Sequence, residues 1–143
     1  MKKHILVLFV ALLSIATFAQ TEKTSENKVA IKGYDPVAYF QEVKAIKGDK
    51  SISAIQSGKT YYFASENNKA SFLKNPTAYE PQYGGYCAYG MSEGYEAPIQ
   101  PEAFAIVDKK LYLNYNIRIR TDWQKQQKDR IAKGDVNWAE SKK

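Results

Sequence analysis

Apolar and polar positions along the chain fall into short runs of differing period. Ser51–Gln56 and Lys59–Phe63 are β-prone runs joined by Ser57-Gly58, and a two-residue connection of that type predicts a hairpin. A second hairpin is predicted from Ala103–Val107 and Leu111–Tyr115 across Asp108-Lys109-Lys110. There Leu111, Leu113 and Tyr115 share one face, and Tyr112 and Asn114 the other. Ser65 can cap a helix reaching about Lys74, with Ala70, Phe72 and Leu73 as its apolar side and Asn75-Pro76 as its stop. Thr121-Asp122-Trp123-Gln124 has the spacing of a capping box and predicts a C-terminal helix to Lys133, ended by Gly134. Ile119, Trp123 and Ile131 would anchor that helix, and a tail beyond it would dock through Trp138.

Before the first hairpin, Val29–Lys32 reads as a short strand closed by Gly33. Asp35-Pro36 suits a helix opening, docked by Val37, Tyr39 and Phe40. Lys44–Lys50 is a basic loop and Thr77–Pro81 a turn. Hairpin and helix signals alternate without a βαβ rhythm. The expected fold is therefore a small single α+β domain with two β-hairpins, a short central helix and a C-terminal helix.

The start of the chain follows another pattern. Lys2 and Lys3 precede a mostly apolar run from Ile5 to Phe18, which is short for a membrane span, and Thr17-Phe18-Ala19 is a small-x-small site ahead of Gln20. Residues 1–19 are expected to be a signal peptide, 20–28 a flexible leader and 29–143 the folded domain with its C-terminal helical extension. The protein is expected to be exported, periplasmic or secreted, with no membrane span after cleavage.

Composition narrows the chemistry. At 143 residues, 44% apolar, the chain suits one domain. Its one histidine, His4, lies in the expected signal peptide, and its one cysteine is Cys87, which excludes an intramolecular disulfide. Without imidazole, Ser-His-Asp and Cys-His catalysis and His-ligated metal sites are excluded. The net charge of +6 reflects Lys2, Lys3 and the segment after Arg118, whereas Gln20–Ile117 is balanced. A mixed-sign helix surface in an exported protein makes nucleic acid a poor partner.

Gln82–Gly94 (QYGGYCAYGMSEG) is the most unusual stretch, with four glycines and three tyrosines around Cys87. Glycine allows close backbone approach and aromatics supply walls. Cys87, Tyr34, Asp35, Tyr83, Tyr86 and Tyr89 are the candidate ligand-binding residues. Cys87 with the thioether of Met91 is a candidate pair for a soft ion such as Cu(I). Also open from the residues are a buried cysteine in a tight turn and a redox or nucleophilic thiol. The tyrosines can likewise be core and Asp35 a helix cap.

Asp35-Pro36-Val37 together with Gly58–Tyr79, whose core is Tyr61-Tyr62-Phe63-x-Ser65 followed by Phe72-x-x-Asn75-Pro76-x-x-Tyr79, resembles the YHS domain. Gly33–Phe40, Tyr83–Gly90, Leu111–Asn116 and Trp138 extend the resemblance to a secreted branch of that family, over roughly Ile31 to Trp138. Metal-binding relatives carry cysteines where this chain has Ala38, Ala64 and Asn68. The resemblance thus implies the fold without its metal site, and no structural zinc is expected. The functional expectation is an exported, YHS-like, non-catalytic binding module for an unidentified small molecule or soft metal ion. The alternatives are a thiol-dependent redox protein or enzyme using Cys87, and a purely structural or accessory protein.

Overall fold

The computed structural model describes residues 28–143; the expected signal peptide and nearly all of the expected leader lie outside the described residues. Lys28, the last residue of that leader, already belongs to a strand. Strand β1 (Lys28–Val29) pairs in parallel with β3 (Lys59–Phe63), which pairs antiparallel with β2 (Asp49–Gln56), giving the order β1-β3-β2. A second sheet holds β4 (Gln100–Val107) and β5 (Lys110–Asn114), antiparallel. Among the described residues there are also five α-helices: α1 (Ala38–Gln41), α2 (Glu66–Lys74), α3 (Ala88–Ser92), α4 (Ile117–Lys125) and α5 (Gln127–Ser141). The mixed α+β class, both hairpins and the C-terminal helix stand as expected. None of the described helices is long and apolar enough to cross a membrane.

Both hairpin turns use left-handed backbone at two consecutive residues, Ser57-Gly58 (φ 52° and 71°) and Asp108-Lys109 (φ 50° and 61°). That geometry matches the twist of the paired strands. The second turn is one residue tighter than expected, and Lys110 opens β5. Helix α2 begins at Ser65, whose hydroxyl accepts from the Asn68 amide at 3.1 Å. Its buried side is Asn68 and Phe72, while Ala70 and Leu73 face solvent.

Several expected boundaries move. The strand expected over Val29–Lys32 stops at Val29, because Ile31 and Lys32 (φ 51° and 50°) turn the chain into a short 3₁₀ segment. Helix α4 starts before Thr121: the Asn116 side chain accepts from the Ile119 amide at 2.8 Å, and Thr121 sits inside the helix, donating its hydroxyl to the Ile117 carbonyl. Gly134 ends nothing. It lies within α5, where a Cβ would stand 2.7 Å from the Tyr83 hydroxyl oxygen, so the glycine is there for packing. Trp138 accordingly docks from a helix.

Two apolar clusters flank β5. Leu111 and Leu113 join Val37, Tyr39, Tyr61, Phe63 and Phe72 in one, while Tyr112 joins Tyr83, Met91 and Trp123 in the other. Both faces of β5 are therefore buried, whereas Tyr115, expected to continue the leucine face, is exposed just beyond the strand. The second cluster is closed by α4 and α5. The C-terminal extension thus covers the second cluster with Trp123, Ile131 and Trp138, and it also walls the site described next.

Candidate functional site

The glycine-rich segment folds as a tight 3₁₀ turn over Gln82–Gly85, with Tyr83, Gly84 and Gly85 all left-handed (φ 58°, 61° and 85°). For a tyrosine that backbone is uncommon and needs external support. The support comes from α5: the Tyr83 hydroxyl donates to Asp135 Oδ1 at 2.9 Å and reaches the Ile131 carbonyl at 3.3 Å. Burial, with the Asp135 hydrogen bond behind it, pushes the Tyr83 phenol well above its ordinary pKa and keeps it neutral. The turn lies so close to α5 that a Cβ on Gly84 would stand 2.9 Å from the Trp138 ring.

This arrangement leaves a cavity of about 560 Å³ between β3, the 82–85 turn and the end of α5. Lys59 and Tyr61 line it from β3, Tyr83 from the turn and Tyr86 just after it, Trp138 from α5 and Lys142 just past its end, with Lys28, Glu80 and Glu96 at its sides. A smaller cavity of about 230 Å³ adjoins it, sharing Lys59, Tyr61 and Tyr86 and extending to Ile31 and Ile99. The larger volume lies within the usual range for small-molecule sites.

Lys59 is central. Its ammonium donates to the Gly84 carbonyl and stands 5.8 Å from the centre of the Tyr86 ring. Partial burial, then the neighbouring charges of Lys142 and Lys28, hold it below the usual lysine pKa, partly opposed by Glu80 and Glu96. Glu80 accepts from the Ser57 hydroxyl at 3.4 Å through Oε2, while its Oε1 is buried without a donor. Burial and the adjacent Glu96 raise the Tyr86 phenol, so it too is a neutral hydrogen-bonding group. Lys142 stacks on the Trp138 ring at 3.8 Å. Lysine ammonium groups, a carboxylate oxygen and aromatic faces can hold a small polar ligand by charge and stacking.

Of the six candidate ligand-binding residues, Tyr83 and Tyr86 line this cavity and the other four lie elsewhere. Cys87 is 1% exposed; its Sγ accepts from the backbone amides of Tyr115 at 3.3 Å and Gly90 at 3.5 Å and donates to Asn114 Oδ1 at 3.6 Å. The thiol caps α3 and ties it to the end of β5. Met91, also buried, belongs to the second apolar cluster and Cys87 to the first. Among the described residues no group of three or more His, Cys, Asp or Glu is placed to hold a metal. Tyr89 carries the Arg130 guanidinium on its ring at 3.8 Å, and the Tyr34 hydroxyl donates to Glu102 at 3.2 Å.

Asp35 is fully buried and saturated. Its Oδ1 accepts from the amides of Val37 (2.8 Å) and Ala38 (3.4 Å), and its Oδ2 from the Ala64 amide (2.8 Å) and Asn68 Nδ2 (2.7 Å). It joins the start of α1 to the end of β3 and to α2.

Sequence reasoning missed Lys59, Glu80, Trp138 and Lys142 as site residues. Lys59 reads as a strand start and Lys142 as a charged tail, and no spacing connects residues 59, 84 and 138. The one local signal was the Gly84-Gly85 pair, which marks close approach without naming what approaches. No family model, curated protein or solved structure matches the chain.

Proposed function

We propose that the protein is an exported, YHS-like binding module, without catalytic activity, for a small polar ligand seated among Lys59, Glu80, Tyr86 and Trp138. The observation that carries this reading is the cavity itself. It combines a partly desolvated lysine, a glutamate in no salt bridge and aromatic side chains, a combination that a purely structural role does not need. The soft-metal form of the expectation draws less support, because the two sulfur residues belong to separate clusters and the thiol is engaged by backbone amides. A thiol enzyme draws less for the same reason, since a nucleophilic cysteine has to be reached.

The test is a thermal-shift screen of charged and aromatic small molecules on the wild-type protein, repeated on Lys59→Met and Trp138→Ala. A ligand present at a hundred times its Kd stabilises by about 2.7 kcal/mol, enough for a clear shift. Shifts seen in wild type and lost in both variants are expected. Shifts that survive in both variants, or Cu(I) binding abolished by Cys87→Ser, would move the site away from this cavity.

A further inference from the structure

Resting on that reading of the cavity, we infer that its ligand is a zwitterion, a free amino acid or the like, with its carboxylate on Lys59 and its ammonium on Glu80. Two opposite charges, Lys59 and Glu80, share one cavity and do not pair. Among the described residues the salt bridges join Lys125 with Asp122, Arg130 with Glu93 and Lys143 with Glu140, and none involves Lys59 or Glu80. Each is held by a weaker neutral partner instead: Lys59 by the Gly84 carbonyl and Glu80 by the Ser57 hydroxyl. The Glu80 Oε1 left over is buried with no donor, a costly state for a carboxylate oxygen. A cation against the carboxylate on its cavity side would offset part of that cost.

An ammonium and a carboxylate on one small molecule satisfy both ends at once. A simple anion would leave the Glu80 carboxylate without a counter-charge, and a simple cation would stand among Lys28, Lys59 and Lys142. Lys28 and Lys142, which already hold the Lys59 ammonium partly in check, add pull on the carboxylate end. Tyr86 and Trp138, 6.5 Å apart between ring centres at 57°, give the cavity an aromatic wall beside those ammonium groups.

The experiment is ligand-observed NMR, followed by titration calorimetry, on the purified protein with the twenty free L-amino acids as probes. The strongest binder is then compared with its N-acetyl and carboxamide forms. At least one free amino acid is expected to bind, and each capped form to bind tenfold or more weakly. Lys59→Met should weaken the free amino acid by a similar factor without further weakening its carboxamide. Glu80→Gln, nearly isosteric, should do the same with respect to the N-acetyl form, and melting curves of both variants verify that the fold is kept. An N-acetyl form or a carboxamide that binds as tightly as the free amino acid would overturn the zwitterion while leaving a small-ligand site. So would failure of all twenty probes where another small molecule binds in a Lys59-dependent way. If no small molecule responds to Lys59→Met or Trp138→Ala, this inference and the reading beneath it fall together.

Discussion

Replacing Asp35 should cost more stability than any other single polar change near the first core cluster. The carboxylate is completely buried and accepts four hydrogen bonds, three of them at 2.7–2.8 Å, from Val37, Ala64 and Asn68. Hydrogen bonds to a charged acceptor contribute about 1.5–3 kcal/mol each, and removing the acceptor strands buried donors. Against this stands the desolvation cost of the carboxylate itself, which Asp35→Ala relieves. The balance is a loss of about 3–5 kcal/mol, the range found when one partner of a buried charged interaction is deleted. With total stabilities of roughly 5–15 kcal/mol, that is a large share. Asp35→Asn keeps one acceptor for Val37 and Ala38 and turns an NH₂ toward Ala64 and Asn68. Asn68 can rotate its own amide oxygen to meet it, so the Ala64 N–H is the group left stranded, for about 2–3 kcal/mol. Urea unfolding at pH 7 followed by circular dichroism reads both. At a slope near 1.5 kcal/mol per molar, Asp35→Ala should lower the midpoint by roughly 2–3 M, and Asp35→Asn by less. A loss below about 1 kcal/mol for Asp35→Ala would refute the reasoning.

Gly134→Ala should destabilise by about 1 kcal/mol even though alanine is the better helix former by a similar amount. The added Cβ meets the Tyr83 hydroxyl at 2.7 Å and overpacks the contact, so a raised melting temperature would count against the packing role. Stability should fall as pH rises above about 10, because burial raises the Tyr39 and Tyr61 phenols in the folded state while unfolded tyrosine titrates near 10. Each then withdraws about 1.4 kcal/mol per pH unit above that value, and the two together roughly 2–3 kcal/mol between pH 10 and 11. Urea unfolding at pH 9 and pH 11, with phenolate absorbance, checks it; full ionisation of the eleven tyrosines at pH 10.5 in folded protein would contradict it. Cys87 should resist a thiol reagent in native buffer and react at the rate of unfolding, and rapid native labelling would contradict its burial. Cys87→Ser, which keeps a group able to accept from Gly90 and Tyr115, should cost only about 1 kcal/mol by the same urea measurement.

Local chemistry was legible in the sequence and long-range chemistry was not. Ser57-Gly58 and Ser65 each act on neighbours within a few residues, and the hairpin and helix they announce are there. Asn116 and Gly134 show where such reading fails. Both Asn116 and Thr121 can cap a helix, and the position at the end of β5 decided between them. Gly134 resembles a helix terminator, yet its role is set by Tyr83, far away in sequence. The site was half legible for the same reason. Tyr83 and Tyr86 stand out in a glycine-rich turn, but Lys59, Trp138 and Lys142 acquire their roles only when α5 packs across that turn.

The expected resemblance to the YHS domain would set the cysteines of metal-binding relatives at positions 38, 64 and 68, the first remote in sequence from the other two. In this chain the amides of Ala38 and Ala64 and the side chain of Asn68 all donate to one group, the Asp35 carboxylate. A metal at such a point would cross-link α1, the end of β3 and α2. The buried carboxylate makes those same three connections with hydrogen bonds. The cavity lies apart from this hub, between the 82–85 turn and α5. That separation gives the two regions distinct signatures. Changes at Asp35 should lower stability before they alter any binding, whereas Lys59→Met and Glu80→Gln, on the wall of the cavity, should alter binding with little loss of stability. If Asp35→Asn weakened ligand binding at a temperature where the variant remains fully folded, the hub and the cavity would be one site with no division of labour between them.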